Sequence, residues 1–261
     1  MEAQSWIWWA GELENFAHIR YNGWVSAIPD HAGSSPQRPT VLVLPGLHGS
    51  GPRHWQSIWE RRHHELRRVE QASWSEPRLG DWATKLERAV RAAAAPVILV
   101  AHSLACALVA HWARVGETER VAAALLVAPA DVDELGHVEV RSFAPMPLER
   151  LPFASWVVAS ENDPFVALDR AHAFARAWGA RFLEAGRCGH INVDSGHGPW
   201  REGEALLAEL VRTVIEPLRR PCSREGGGEP HVAAPATGGA RRPRALDETP
   251  AIASGERGDR P

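Results

Sequence analysis

The stretch Val97-Ile98-Leu99-Val100-Ala101-His102-Ser103-Leu104-Ala105-Cys106 constrains this chain more than any other. Five apolar residues with β-branched members predict a buried strand, and the Ala-, Leu- and Val-rich run after Leu104 predicts a helix, so Ser103 falls at the turn between them. A serine at such a turn is lifted clear of the backbone and faces the positive end of the helix, with the next N–H at hand for a developing oxyanion. Strand and helix run close together there, so the flanking residues must be small. Glycine is usual at both positions, and here Ala101 and Ala105 occupy them. An extra methyl in a tight site costs roughly 1 to 3 kcal/mol unless the crossing widens slightly to absorb it. This stretch alone leaves two readings open, a nucleophile or an ordinary helix-capping serine.

A chain of 261 residues with 44% hydrophobic content is enough for one core of respectable size and short for two full domains. Its formal net charge of -3 gives no electrostatic reason to expect nucleic acid or an anionic membrane as a partner. Cys106, Cys188 and Cys222 cannot all pair and lack metal-ligand spacing, which fits a reducing compartment. The start of the chain has no basic segment leading into a sustained apolar run, and the runs Ala92 to Ala101 and Val121 to Ala130 are too short to span a bilayer. A soluble cytoplasmic protein is expected.

Residues 1–38 carry Trp6, Trp8, Trp9 and Trp24 without a clear period and end in a Gly-Ser-Ser-Pro linker, so they read as an irregular or weakly packed arm. Residues 39–219 read as the folded domain, and 220–261, rich in Gly, Pro, Arg and Glu, as a disordered tail. Within the domain Val41 to Leu44 is a short buried strand that ends in Pro45-Gly46-Leu47-His48-Gly49-Ser50-Gly51-Pro52. Gly46, Gly49 and Gly51 fit neither the phosphate-loop nor the dinucleotide spacing, and no Lys follows, so the Leu47 N–H is better suited to an oxyanion hole. A helix with Trp55, Ile58 and Trp59 comes next, then a second strand over Arg67 to Ala72 and a helix that Asp81 is expected to cap. Further strands are expected at Ala123 to Ala128, Trp156 to Ala159 and Arg181 to Glu184, with a closing amphipathic helix over Glu202 to Val214.

Strands alternating with helices imply an α/β fold, a mainly parallel doubly wound sheet with helices on both faces, in which ligands gather at the carboxyl ends of the strands. Asp131, Asp133 and Asp163 each follow a strand, and His190 lies on a glycine-flanked loop after the last one. A serine hydroxyl needs a base, and imidazole suits neutral pH. His102 projects away from Ser103 along the strand, while His63, His64, His111 and His172 fall in expected helical stretches, which leaves His190 as the base. The order Ser103, Asp163, His190 matches the order used by α/β-hydrolases, which differs from the orders on other triad folds. Asp131 is the reserve acid and His197 the reserve base.

The segments Pro45-Gly46 with Gly49-Ser50-Gly51-Pro52, His54-Trp55-Gln56, Ala101-His102-Ser103-Leu104, Ser160-Glu161-Asn162-Asp163-Pro164-Phe165, Gly189-His190-Ile191-Asn192 and Ser195-Gly196-His197-Gly198-Pro199-Trp200 carry a resemblance over about residues 40–218. In them the chain resembles the compact serine hydrolases related to the retinoblastoma-binding-protein and YdeN group. The resemblance implies an α/β-hydrolase fold with Ser103 as nucleophile, His190 as base and Asp163 as the acid that orients it. Ala105 departs from it, since that family usually carries Gly there.

The function expected is hydrolysis of small carboxylic esters, with thioesters and amides as further substrates, through an acyl-enzyme on Ser103 and an oxyanion hole from the Leu47 and Leu104 N–H groups. No cofactor and no metal are expected, and the partner is a small acyl substrate. Only about 26 residues, Pro129 to Ala154, separate the strands where a cap would enter, so no large cap and an open site are expected. The competing reading is a catalytically weak or inactive α/β-hydrolase fold that serves as a protein-binding module. A cofactor-free lyase or perhydrolase on the same residues is a third.

Overall fold

The computed structural model describes residues 38–219, so the tryptophan-rich arm and the tail lie outside the described residues. Six parallel strands form one sheet in the order β2-β1-β3-β4-β5-β6. They are β1 (Thr40–Leu44), β2 (Leu66–Arg68), β3 (Val97–His102), β4 (Val121–Val127), β5 (Ala154–Ala159) and β6 (Arg181–Glu184). The helices between and after them are α1 (Trp55–Arg62), α2 (Leu79–Ala92), α3 (Leu104–Trp112), α4 (Leu168–Trp178) and α5 (Arg201–Arg219).

The alternation of side chains along each strand divides the core in two. Leu42, Leu44, Val97, Leu99, Ala101, Ala124, Leu126 and Val157 pack against α2, α3 and α4, where Trp82, Leu86, Leu108, Trp112, Phe174 and Trp178 are buried. Val41, Val43, Ile98, Val100, Leu125, Val127 and Val158 face the other way, onto Trp55 and Trp59 of α1 and Leu207, Leu210 and Val211 of α5. Both faces are therefore dry, which is why the strands read as continuous apolar runs rather than as polar and apolar in turn.

The chain leaves β1 outward to β2 and then returns past it to β3. That reversal makes the carboxyl ends of β1 and β3 the switch point of the sheet, the place where sheets of this kind hold ligands. The loop from Pro45 and the turn at Ser103 both emerge there.

Between β4 and β5 the chain forms one short 3-10 turn, Val138–Phe143, and no long helix, so no large cap is built. The segment lies against the domain: Trp178 Nε1 donates to the Pro147 carbonyl at 2.8 Å, His111 Nε2 bonds the Phe143 carbonyl at 2.7 Å, and Phe143 is fully buried.

Three local expectations need correction. The second strand is Leu66–Arg68 and not Arg67 to Ala72, because after Val69, whose N–H bonds the Val43 carbonyl, the chain turns away from β1. Asp81 does not cap α2; the helix starts earlier, after Arg78, and Asp81 sits exposed in its first turn. Ser142, from the segment after β4, accepts the Leu79 N–H at 3.2 Å and so satisfies an amide that a local cap would otherwise take. Finally, α1 ends at Arg62, which puts His63 and His64 beyond it.

Candidate active site

Ser103 has φ 58 and ψ -123, a conformation that a residue with a side chain adopts only when its surroundings impose it. Here they do: its N–H donates to the Val127 carbonyl at 2.9 Å, which ties the turn to the end of β4. Ala105 is fully buried in the first turn of α3, so the helix accommodates the methyl that replaces a glycine.

His190 and Asp163 arrive from two other strand exits. Ser103 Oγ lies 2.8 Å from His190 Nε2, and His190 Nδ1 lies 2.9 Å from both oxygens of Asp163. A carboxylate can only accept, so Nδ1 carries the imidazole proton and Nε2 is left to accept from the serine hydroxyl. The Asp163 side chain has no solvent exposure and that of His190 has 7%. Asp163 Oδ1 also accepts the Phe165 N–H at 2.9 Å, and the Phe165 ring meets the imidazole edge-on at 4.5 Å between centroids. The structure thus brings together all three side chains that the sequence singled out.

The loop carrying the acid is stitched to the loop carrying the imidazole. Asn162 Oδ1 accepts the Gly189 N–H at 2.9 Å, and Ser160 Oγ accepts the Cys188 N–H at 2.8 Å while donating to Asn162 Oδ1 at 3.0 Å. Ser160 and Asn162 were not singled out one by one from sequence, although both lie in the Ser-Glu-Asn-Asp segment that carries the family resemblance.

The glycine loop completes the site. A Cβ on Gly46 would stand 2.8 Å from Ser103 Cβ, 2.9 Å from the His102 carbonyl and 3.4 Å from the Leu104 amide nitrogen. Only a bare Cα allows this approach of the glycine loop to the Ser103 turn. Leu104 is the first residue of α3, so its N–H has no partner within the helix; among the described residues neither its amide nor that of Leu47 meets a protein acceptor.

The loop is held from below by residues that sequence reasoning missed. Arg68 Nη1 donates to the Gly49 carbonyl at 2.6 Å and Arg68 Nη2 to Ser57 Oγ at 2.7 Å, while Glu60 holds the Arg68 Nε at 3.0 Å. Fully buried Gln56 donates to the Leu44 and Val100 carbonyls at 3.1 and 3.2 Å and accepts from Ser50 Oγ at 2.7 Å. Burial raises the Glu60 carboxyl, with Arg68 opposing the rise.

The reserve residues are engaged elsewhere. Asp131 accepts from Arg170 Nε at 2.6 Å and Nη2 at 2.9 Å, and Asp133 from Arg170 Nη2 at 3.2 Å. His197 Nδ1 lies 3.2 Å from Ser195 Oγ within its own loop. Cys106 is fully buried, and burial pushes its thiol up. Among the described residues no cluster of metal-binding side chains occurs, and no helix is long and apolar enough to cross a membrane.

A serine, an imidazole and a carboxylate in line, on a parallel doubly wound sheet, define an α/β-hydrolase, and comparison with solved structures agrees on the fold. A YdeN-like hydrolase of Pectobacterium atrosepticum is 34% identical, with a TM-score of 0.62 over 67% of this chain and 92% of that one. The ydeN gene product of B. subtilis is 20% identical, with a TM-score of 0.51 over 66% and 98%. Est1E of Butyrivibrio proteoclasticus is 13% identical, with a TM-score of 0.56 over 74% and 92%. No curated protein matches the sequence. The family described as serine hydrolase matches residues 41–209, and the chain belongs to that family. The likeness to the YdeN group read from the sequence motifs is met by these neighbours, and the chain is a hydrolytic enzyme.

Proposed function

We propose that this serine hydrolase cleaves small carboxylic esters, and thioesters or amides of similar size, through an acyl-enzyme on Ser103. The unbroken line of hydrogen bonds from Ser103 Oγ through His190 to Asp163 carries this reading. His190 takes the hydroxyl proton at Nε2 as Oγ attacks the carbonyl carbon, and Asp163 holds the ring in the tautomer that leaves Nε2 free. The Leu47 and Leu104 N–H groups receive the oxygen of the tetrahedral intermediate. His190 then returns the proton to the leaving alcohol, and a water molecule repeats the sequence to release the acid. The absence of a large cap supports an open site suited to small acyl groups, and the expected partner is a small-molecule substrate in the cytoplasm.

Turnover of p-nitrophenyl acetate, butyrate and palmitate by the full chain tests this. Short esters are expected to be preferred, and Ser103→Ala to lower kcat by roughly 10⁴- to 10⁶-fold. A folded wild type inert toward esters, thioesters and amides alike would instead favour a binding module on a hydrolase fold.

A further inference from the structure

Two buried donors that the proposed chemistry does not use grip the main chain of the loop carrying the base. His102 Nε2 bonds the carbonyl of His190 itself at 3.0 Å, and Trp55 Nε1 bonds the next carbonyl, that of Ile191, at 2.8 Å. Ile191 has φ 46, in the left-handed region that a β-branched residue avoids, so local preference does not give the loop its shape. The two donors, with the complete burial of Ile191, hold it there.

His102 precedes Ser103 and points to the opposite face of β3, toward α1. Its ring lies 4.8 Å from that of His190 and 4.8 Å from that of His54, and it meets Trp55 edge-on at 5.8 Å. A carbonyl only accepts, so His102 Nε2 carries a proton and the neutral ring suffices. Burial holds its pKa well below the usual histidine value, with His190 and His54 adding to the effect. His54, whose Nδ1 accepts the Gln56 N–H, is likewise lowered to about 3, mainly by burial, then by Arg68 and His190. Titratable groups that face His190 include Asp163 beyond β5, His102 at the end of β3 and His54 just before α1, with Arg68 acting on His54 and Cys188 on the same loop.

We infer that His102 is a positioning residue for the base: its neutral N–H sets the main chain of His190 at the height where one ring nitrogen meets Ser103 and the other meets Asp163. The last residue of β3 and the one that follows it thus supply the anchor of the base on one side and the nucleophile on the other, so the spacing between Ser103 and His190 depends on one strand end. An uncharged ring at 4.8 Å also leaves the imidazolium that forms on His190 unopposed. The inference rests on the triad reading above and adds a residue to it.

The test compares His102→Phe and His102→Leu, which remove the donor, with His102→Gln, which keeps an N–H at the same reach. Two readouts are taken on the full chain: the rate of fluorophosphonate labelling of Ser103, and the downfield proton resonance of the His190 Nδ1–H bonded to Asp163, which needs no turnover. Loss of the donor is expected to slow labelling about 10- to 100-fold and to weaken or broaden the resonance, with Gln restoring most of both. Wild-type labelling and an unchanged resonance in folded Phe or Leu variants would overturn the inference. A wild type that shows the resonance yet never labels defeats the hydrolase reading alone; the resonance in the variants still decides the role of His102.

Discussion

Asp131 and Asp163 leave the sheet at neighbouring strand ends, beyond β4 and β5, and begin in similar surroundings. Both are buried, and each accepts a main-chain N–H from two residues on, Asp133 at 3.3 Å and Phe165 at 2.9 Å. The two turns are even joined, since the Asp131 N–H donates to the Phe165 carbonyl at 2.9 Å. What separates them is the element that comes to meet each carboxylate. Helix α4 brings Arg170 to Asp131, and the loop after β6 brings His190 to Asp163. Two like acids at like positions acquire unlike roles: one braces the segment after β4 against α4, the other orients an imidazole.

The largest expected effects split the pair. Asp163→Asn is expected to lower kcat/KM by about 10³- to 10⁴-fold, because an amide no longer enforces the tautomer that frees Nε2. Asp131→Asn should change kcat/KM by less than roughly tenfold, since its carboxylate is held by Arg170 and not by His190. It should instead lower stability by about 1 to 3 kcal/mol in urea unfolding, a range discounted because Arg170 is 37% exposed. Steady-state kinetics and unfolding on both variants check this, and an inverted ranking would exchange the two roles.

A pair of glycines sharpens the same contrast between positions that touch the reacting groups and positions that do not. Gly46→Ala places a methyl 2.8 Å from Ser103 Cβ and should slow ester turnover by about 10- to 100-fold. Gly51→Ala, with nothing within 4 Å of its added Cβ, should leave turnover unchanged. Equal effects in the two would remove the basis for placing Leu47 at an oxyanion hole.

His54 and His102 extend the comparison to groups held neutral. Their pKa values in the folded chain lie below the unfolded value near 6.5, that of His54 at about 3, so below pH 6.5 the unfolded chain binds more protons. Stability should therefore be intact above pH 6.5 and fall on acidification, each histidine contributing up to about 1.4 kcal/mol per pH unit. Thermal unfolding from pH 7 to 4 measures this, and His54→Gln should make the slope shallower. The smallest effect concerns α2: Ser142→Ala should cost about 0.5 to 1.5 kcal/mol by releasing the Leu79 N–H, and Asp81→Asn less than about 0.5 kcal/mol.

The strand exits were legible because parallel strands buried on both faces leave unmistakable apolar runs, and the residues just beyond them are few. Ser103, Asp163 and His190, which the structure brings within hydrogen-bond reach of one another, could be picked by that rule. Their supports could not. His102 reaches a carbonyl 88 residues away and Trp55 one 136 residues away, contacts between a side chain and a main chain that leave no pattern in either segment. Arg68 belongs to no motif that the sequence displays, yet it organises the glycine loop from the neighbouring strand. Asp81 misled because a cap supplied by Ser142, 63 residues from Leu79, replaced the local one.

The most direct measurement is covalent labelling of the folded full chain by a fluorophosphonate, with the adduct located by mass spectrometry. The adduct is expected on Ser103, to vanish in Ser103→Ala, and to form far more slowly in His190→Ala and Asp163→Asn than in Asp131→Asn. A wild type that stays unlabelled, or an adduct on any other side chain, would contradict the assignment of Ser103 as nucleophile.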